Sequence, residues 1–295
     1  MPMPRAMLVP TDLSTAARHA AQRAAMLARE SGASVELLHV IETSALTQLT
    51  RLLADPQSPV VSRIVAQADA DLAALARDIN ADYGVAATTH SVQGPLLASI
   101  TTRASEIGAD LLVLGASQAG YLRQWLLGAT AERLLRKTTE PMLFVRQPPH
   151  QGYRTVLVTV DFSDSAAQSI KLARQICPKA RLILLHACEF PFEGKMRFAG
   201  VDDDAVWQYR QSIRRDALQR LQTLATETGL DPANWQPVVT HGDTVHDIVQ
   251  QQLDHDVDLV VVGKHGAGMT EDLLLGSVTQ QVLGQVLSDV LVGAR

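Results

Sequence analysis

This chain encodes an α/β protein of two tandem Rossmann-like domains, each built on a five-stranded parallel sheet with helices on both faces. Three observations carry that expectation. Short β-branched or aliphatic runs alternate with Ala- and Leu-rich stretches at helical spacing, in the order β-α-β-α-β-α-β-α-β given twice. The second half repeats landmarks of the first: Met7 to Ser14 matches Leu157 to Ser163, Val35 to His39 matches Leu182 to His186, Gly94 matches Gly242, and Asp110-Leu111 matches Asp258-Leu259. Offsets stay between 147 and 149, which fits one duplication with small insertions. Finally, 295 residues suit two domains, each long enough to bury its own core.

The elements follow in chain order. Strands are expected near Met7 to Pro10, Val35 to Val40, Ala86 to Val92, Leu111 to Leu114 and Met142 to Arg146. Ser14 can cap the first helix, whose apolar stripe runs from Ala16 to Glu30 before Gly32 supplies a stop. Its counterpart starts after Ser163 and ends near Cys177, because Pro178 lacks the amide a helix would need. Val61 to Tyr83 and Val206 to Thr228 read as long second helices, closed by Gly84 and Gly229. Right-handed crossovers then give parallel sheets covered on both sides. The polar, Pro-rich link from Gln147 to Gly152 divides the chain into domains expected at 1–147 and 153–295.

Composition excludes several functions. Net charge is −5 with 19% charged residues, so the basic excess that phosphate contacts along a nucleic acid require is missing. Apolar runs are always interrupted and fall short of a membrane span, and Met1 to Pro10 lacks a signal-peptide core. Cys177 and Cys188 are too few for a disulfide framework and form no CxxC pair. A cytoplasmic protein is the expectation.

The chemistry is concentrated in one segment. After the apolar run Leu259 to Val262 come Gly263-Lys264-His265-Gly266, nine residues from Ala267 to Leu275, and then Gly276-Ser277-Val278. A glycine-bearing turn after a parallel strand lies at the carboxyl edge of the sheet, where open α/β folds collect ligands. Glycines at 263, 266 and 276 let the backbone approach an anion closely, and Ser277 would open the last helix with its hydroxyl and unpaired amides facing that anion. Charge-assisted hydrogen bonds contribute roughly 1.5–3 kcal/mol each. Lys264 either adds charge there or points to solvent. A lone G-x-x-G is a weak signal, and this one is neither the P-loop nor the dinucleotide fingerprint.

Taken whole, G-x-x-G, nine residues and G-S, with Asp161 ending the half's first strand, resembles the ATP-binding branch of the universal stress protein family. The resemblance covers the chain twice. It implies that Asp161 sits beside the nucleoside, that the backbone of Ala187 reads adenine, and that Gly263, Gly266, Gly276, Ser277 and Val278 hold ribose and phosphates. The first-half equivalents are Asp12, Val40, Gly115, Gly128 and Thr130. It also implies pairing of the two domains through their last strands, Met142 to Val145 with Val290 to Val292, an intramolecular pseudo-dimer that leaves a further homodimer open. The implied cofactor is ATP, with or without Mg, and the implied role is a nucleotide-dependent stress-response module with protein partners that the sequence does not name. The alternatives are a slow ATPase or phosphotransferase and a ligand-free scaffold.

The first half departs from the pattern: Gln118 replaces the second glycine and Ala129 the hydroxyl, with Thr130 one position later. It is therefore expected to bind ATP weakly or not at all, giving one nucleotide per chain. No nucleophile with an orienting base is visible. His241, Asp243, His246, Asp247 and His265 lie close in sequence, but without metal-ligand spacing; Asp243 reads better as a helix cap and His246 as a solvated helix residue. Asp202 to Asp204 reads as a solvated loop or a helix start, and His39 and His186 as core or rim histidines. Thr43 to Val60 and Phe190 to Asp204 differ most between the halves and are candidates for specificity or partner contact, with Phe190, Phe192 and Phe198 notable in a chain only 4% aromatic.

Overall fold

A computed structural model describes residues 4–52, 59–116, 129–264 and 275–293. The first half runs β1 (Ala6–Pro10), α1 (Thr15–Ser31), β2 (Ser34–Glu42), α2 (Thr43–Leu52), α3 (Val60–Tyr83), β3 (Ala87–Gly94), α4 (Leu96–Ile107), β4 (Leu111–Gly115), α5 (Ala129–Lys137) and β5 (Met142–Val145). The second runs β6 (Thr155–Thr159), α6 (Asp164–Ile176), β7 (Arg181–Cys188), α7 (Glu193–Phe198), α8 (Asp203–Glu227), β8 (Trp235–His241), α9 (Thr244–Asp254), β9 (Leu259–Val262), α10 (Ser277–Gln285) and β10 (Asp289–Val292). The helices α2 and α7 fall in the two segments that differ most between the halves; α7, at six residues, is too short to show a periodic stripe.

Helix ends obey their sequence signals. Ser14 accepts from the Ala17 amide at 3.3 Å, and Gly32 closes α1 in the left-handed region at φ 74°. Asp202 caps α8 through the Ala205 amide at 2.8 Å, and Asp243 caps α9 through the His246 amide at 2.8 Å. The long second helix of the second half therefore starts three residues earlier than its apolar pattern suggests.

The ten strands of the described residues join one sheet in the order β3-β2-β1-β4-β5-β10-β9-β6-β7-β8. Every pairing is parallel except the central one, where β5 and β10 run antiparallel with Phe144 opposite Val290, Leu143 opposite Leu291 and Met142 opposite Val292. The last strands thus pair as the resemblance implied. Each half enters its first strand in the same way: Asp110 accepts from the amides of Arg5 and Ala6, and Asp258 from those of Arg154 and Thr155.

Because alternate strand residues face opposite sides, the sheet splits the core in two. Met7, Val35, Leu111, Leu143, Val156, Leu182, Leu259 and Leu291 pack under α1, α3, α6 and α8, whereas Leu8, Leu38, Leu112, Phe144, Leu157, Ile183, Val260 and Val290 pack under α4, α5, α9 and α10. Both layers run through the two halves without a break. The outer strands are β3, rich in Thr, His, Ser and Gln, and β8, which carries Pro237.

A buried polar cluster fixes the central joint. Asp289, at the start of β10, is 3% exposed and accepts from the Arg146 amide at 2.8 Å and the Tyr153 hydroxyl at 2.6 Å. Arg23 of α1 lies 3.4 Å from the same carboxylate, stacks over Tyr153, and donates to the Gln151 carbonyl at 2.7 Å. The Arg146 guanidinium reaches the carbonyls of Leu283 and Val286 at the end of α10. Burial raises the Asp289 pKa, with Arg23, the Tyr153 hydroxyl and the Arg146 amide acting against it.

Removing the carboxylate takes the ion-pair partner from the buried Arg23 guanidinium and the acceptor from the Tyr153 hydroxyl, a loss that generally costs about 3–5 kcal/mol. Asp289→Ala is therefore expected to lower unfolding stability by about that amount, read as a fall in the urea midpoint by circular dichroism.

Candidate functional site

Asp161 follows β6 at the carboxyl edge of the sheet, and the chain then turns through Phe162 at φ 59°. Leu13, at φ 64°, makes the same turn after Asp12. Such values are uncommon for bulky residues and need surrounding structure to hold them. In the second half, that support is visible: Phe162 lies 4.4 Å from the His186 ring and 3.9 Å beneath the Arg220 guanidinium. His186 in turn donates from Nδ1 to the Val160 carbonyl at 2.7 Å, as His39 does to Thr11 at 2.8 Å. The strand-end histidines are thus positioned as turn supports.

The serines after the two aspartates diverge. Ser14 caps its helix, whereas the Ser163 hydroxyl turns to Asp161 at 2.6 Å and lies 2.8 Å from Ser165. Helix α6 therefore begins without a side-chain cap. Helix α10 does the same: Gly276 occupies its N-cap and offers no side chain, leaving the first amides of the helix without a side-chain acceptor. These two helix starts face a common space.

That space is a cavity of about 510 Å³ bounded by the ends of β6, β7 and β9 and by α6, α9 and α10. Asp161, Ala187, Gly263, Gly276, Ser277 and Val278 all line it, so the structure brings together every second-half candidate among the described residues. Gly266 lies outside the described residues, as do Gln118, Gly128 and His265. In the first half, Asp12 accepts from the Ser14 amide, Val40 lies within β2, Gly115 closes β4, and Thr130 stands in the first turn of α5.

Several lining residues escape motif reading: Thr159, Ser165, Ser169, Glu189, Thr244 and Thr279. Ser165 and Ser169 are four apart on α6, a spacing that puts both on one helix face and was available from the sequence. Thr279 donates to the Gly263 carbonyl at 2.7 Å, tying the turn after β9 to α10. No pattern in the sequence marks that bond.

Lys264 is 5% exposed, which overturns the solvent-facing reading. Its ammonium donates at 2.5 Å to the Thr138 carbonyl, just past the end of α5 in the other half. A cation at a helix C-terminus is favoured by the negative end of the helix dipole. Its position in the first-half repeat is taken by Ala116. Gly115 is also closely confined, since a Cβ there would come within 2.3 Å of the Ala16 backbone.

The halves and the cavity define a tandem α/β protein with a ligand-sized crevice at the carboxyl edge of its second unit. A sequence profile of the universal stress protein family matches residues 3–146 and again 152–293, and the chain belongs to that family. It is similar to a universal stress protein of Methanocaldococcus jannaschii, 27% identical over 141 residues covering 48% of this chain and 81% of that protein. It is also similar to one of Mycobacterium tuberculosis, 26% identical over 191 residues covering 63% of this chain and 62% of that protein. Among solved structures, a universal stress protein from Archaeoglobus fulgidus shares the fold over 98% of both chains, with a TM-score of 0.73 at 19% identity.

Two outcomes are expected. Gly115→Ala forces α1 away from β4 and should lower stability by about 1–3 kcal/mol, measured by chemical denaturation. Burial lowers the His186 pKa below its ordinary 6.5, outweighing the opposite effect of the Val160 bond. The neutral ring's contribution is thus complete above pH 6.5 and is lost as pH falls through the folded-state value. An NMR titration should place the His186 midpoint below 6.5, and His186→Gln should flatten the fall in stability through that window.

Proposed function

We propose that the chain is a nucleotide-dependent regulatory module that binds one ATP, in its second half. The convergence of Asp161, Ala187, Gly263, Gly276, Ser277 and Val278 on one cavity carries this reading. Phosphate oxygens would accept from the amides at the start of α10 and from the Ser277 hydroxyl, a setting whose dipole favours anions. Gly263 and Gly276 allow that approach because neither presents a side chain. Asp161 and the Ala187 backbone would take the nucleoside end; Gly266 belongs to the same sequence motif. Magnesium would accompany the phosphates as their counter-ion.

On this reading, the domains at 1–147 and 153–295 form an intramolecular pseudo-dimer. The first half, with Asp12, Val40, Gly115, Gly128 and Thr130 in the equivalent places, acts mainly as the structural partner. Ala129 supplies no hydroxyl there. A regulatory module of this kind works in the cytoplasm by presenting a nucleotide-dependent surface to a protein partner. Among the described residues, no helix is long and apolar enough to cross a membrane.

Calorimetric titration of the nucleotide-stripped chain with ATP, with and without magnesium, tests the reading. One site of about micromolar affinity, corresponding to roughly −8 kcal/mol, is expected, and Gly276→Val should abolish it. Two equivalent sites, or no heat and no thermal stabilisation, would overturn it.

A further inference from the structure

The duplication supplies its own comparison along the first helix of each half. At the offset that relates Ser163 to Ser14, Ser165 and Ser169 of α6 stand where α1 carries Ala16 and Ala20. Ala20 is fully buried, and the Ala16 backbone is packed so closely against β4 that a Cβ on Gly115 would come within 2.3 Å of it. Both serines instead line the cavity. Two hydroxyls thus take the place of two methyl groups on the face of α6 that borders the ligand space.

The two hydroxyls differ in what they still offer. Ser163 gives its single proton to the Asp161 carboxylate at 2.6 Å, so the 2.8 Å contact between Ser163 and Ser165 has Ser165 as its donor. What remains at Ser165 is an acceptor. Ser169 is 2% exposed, and its hydroxyl makes no hydrogen bond among the described residues; it lies beside Gly293, 3.4 Å from where a Cβ there would stand. Native proteins rarely leave a buried hydroxyl without a partner, and this one keeps its proton for a ligand. The acceptor and the donor are one helical turn apart, a spacing of about 5–6 Å between Cβ atoms. One oxygen carrying one proton, placed between them, would satisfy both.

We propose that Ser165 and Ser169 form a hydroxyl-reading subsite, in which a sugar hydroxyl of the nucleotide donates to Ser165 Oγ and accepts from Ser169 Oγ. The proposal rests on the nucleotide reading above and names the part of the ligand that the pair recognises. The chain of hydrogen bonds from Ser165 through Ser163 to Asp161 puts the subsite beside the residue that takes the nucleoside end. A phosphate oxygen fits less well, because it brings no proton for Ser165 and would meet the like charge of Asp161 nearby. A site built to hydrogen-bond a hydroxyl rejects the analogue that lacks it, since its own polar groups are then left unpaired.

The test is a calorimetric titration of the nucleotide-stripped full chain with ATP, 2′-deoxy-ATP and 3′-deoxy-ATP, repeated with Ser169→Ala. ATP is expected to bind about three- to tenfold more tightly than one of the two deoxy analogues. Ser169→Ala should lower the ATP affinity by a similar factor and leave that analogue's affinity unchanged, so that the preference disappears. The variant should keep the fold, because Ala20 fills the equivalent place in α1, and its circular dichroism and urea midpoint will verify this. A purely structural role would weaken all three nucleotides alike. That result, a preference that survives the substitution, or no preference in the unsubstituted chain would overturn the proposal while leaving the nucleotide reading intact. Failure of all three nucleotides to bind the unsubstituted chain would overturn both.

Discussion

The antiparallel joint between β5 and β10 is the constraint on which the rest depends. Each half alone would end in a short, buried and mainly apolar strand with an open row of backbone donors and acceptors, an arrangement that invites uncontrolled pairing. Joining the two strands satisfies those groups and makes each hydrophobic layer continuous across the chain. The joint also gathers Asp289, Arg23, Arg146 and Tyr153 in a place shielded from water, where their mutual geometry is fixed. The linker is held by the same cluster through Gln151, so the two halves are connected by packing and hydrogen bonds as well as by covalent chain.

Against that shared frame, the two copies have diverged in small steps. The turn after the first strand is kept, with its aspartate and left-handed residue, but the following serine caps a helix in one half and binds the aspartate in the other. Where the first half places Ala116, the second places a buried lysine that reaches the end of α5. The turn bordering the cavity is consequently anchored in the opposite half, and its position is set by both copies together.

Strand and helix order was legible because alternation of short aliphatic runs with helical stripes survives in every element that buries one face. Ser14, Gly32, Gly84 and Asp243 could be read as helix ends because capping is a local effect with few competent residue types. The six-residue helix α7 could not be read, since so short a stretch lacks a full amphipathic repeat, and α2 was missed as well. Of the six described candidates of the second half, Gly263, Gly276, Ser277 and Val278 stand in the glycine-spaced segment, whereas Asp161 and Ala187 come from the family resemblance. Thr279, Thr244 and Glu189 reach the cavity only through tertiary placement, and the orientation of Lys264 depends on a carbonyl 126 residues away.

The outer strands have a consequence for assembly. With β5 and β10 already consumed in the middle, β3 and β8 are the remaining rims of the sheet. One is lined with hydroxyl, imidazole and amide side chains, and the other is interrupted by a proline that offers no donor. An incoming ribbon would find little purchase on either. Growth of the sheet beyond ten strands is thereby discouraged, and higher-order association of whole molecules is directed to the helical layers above and below.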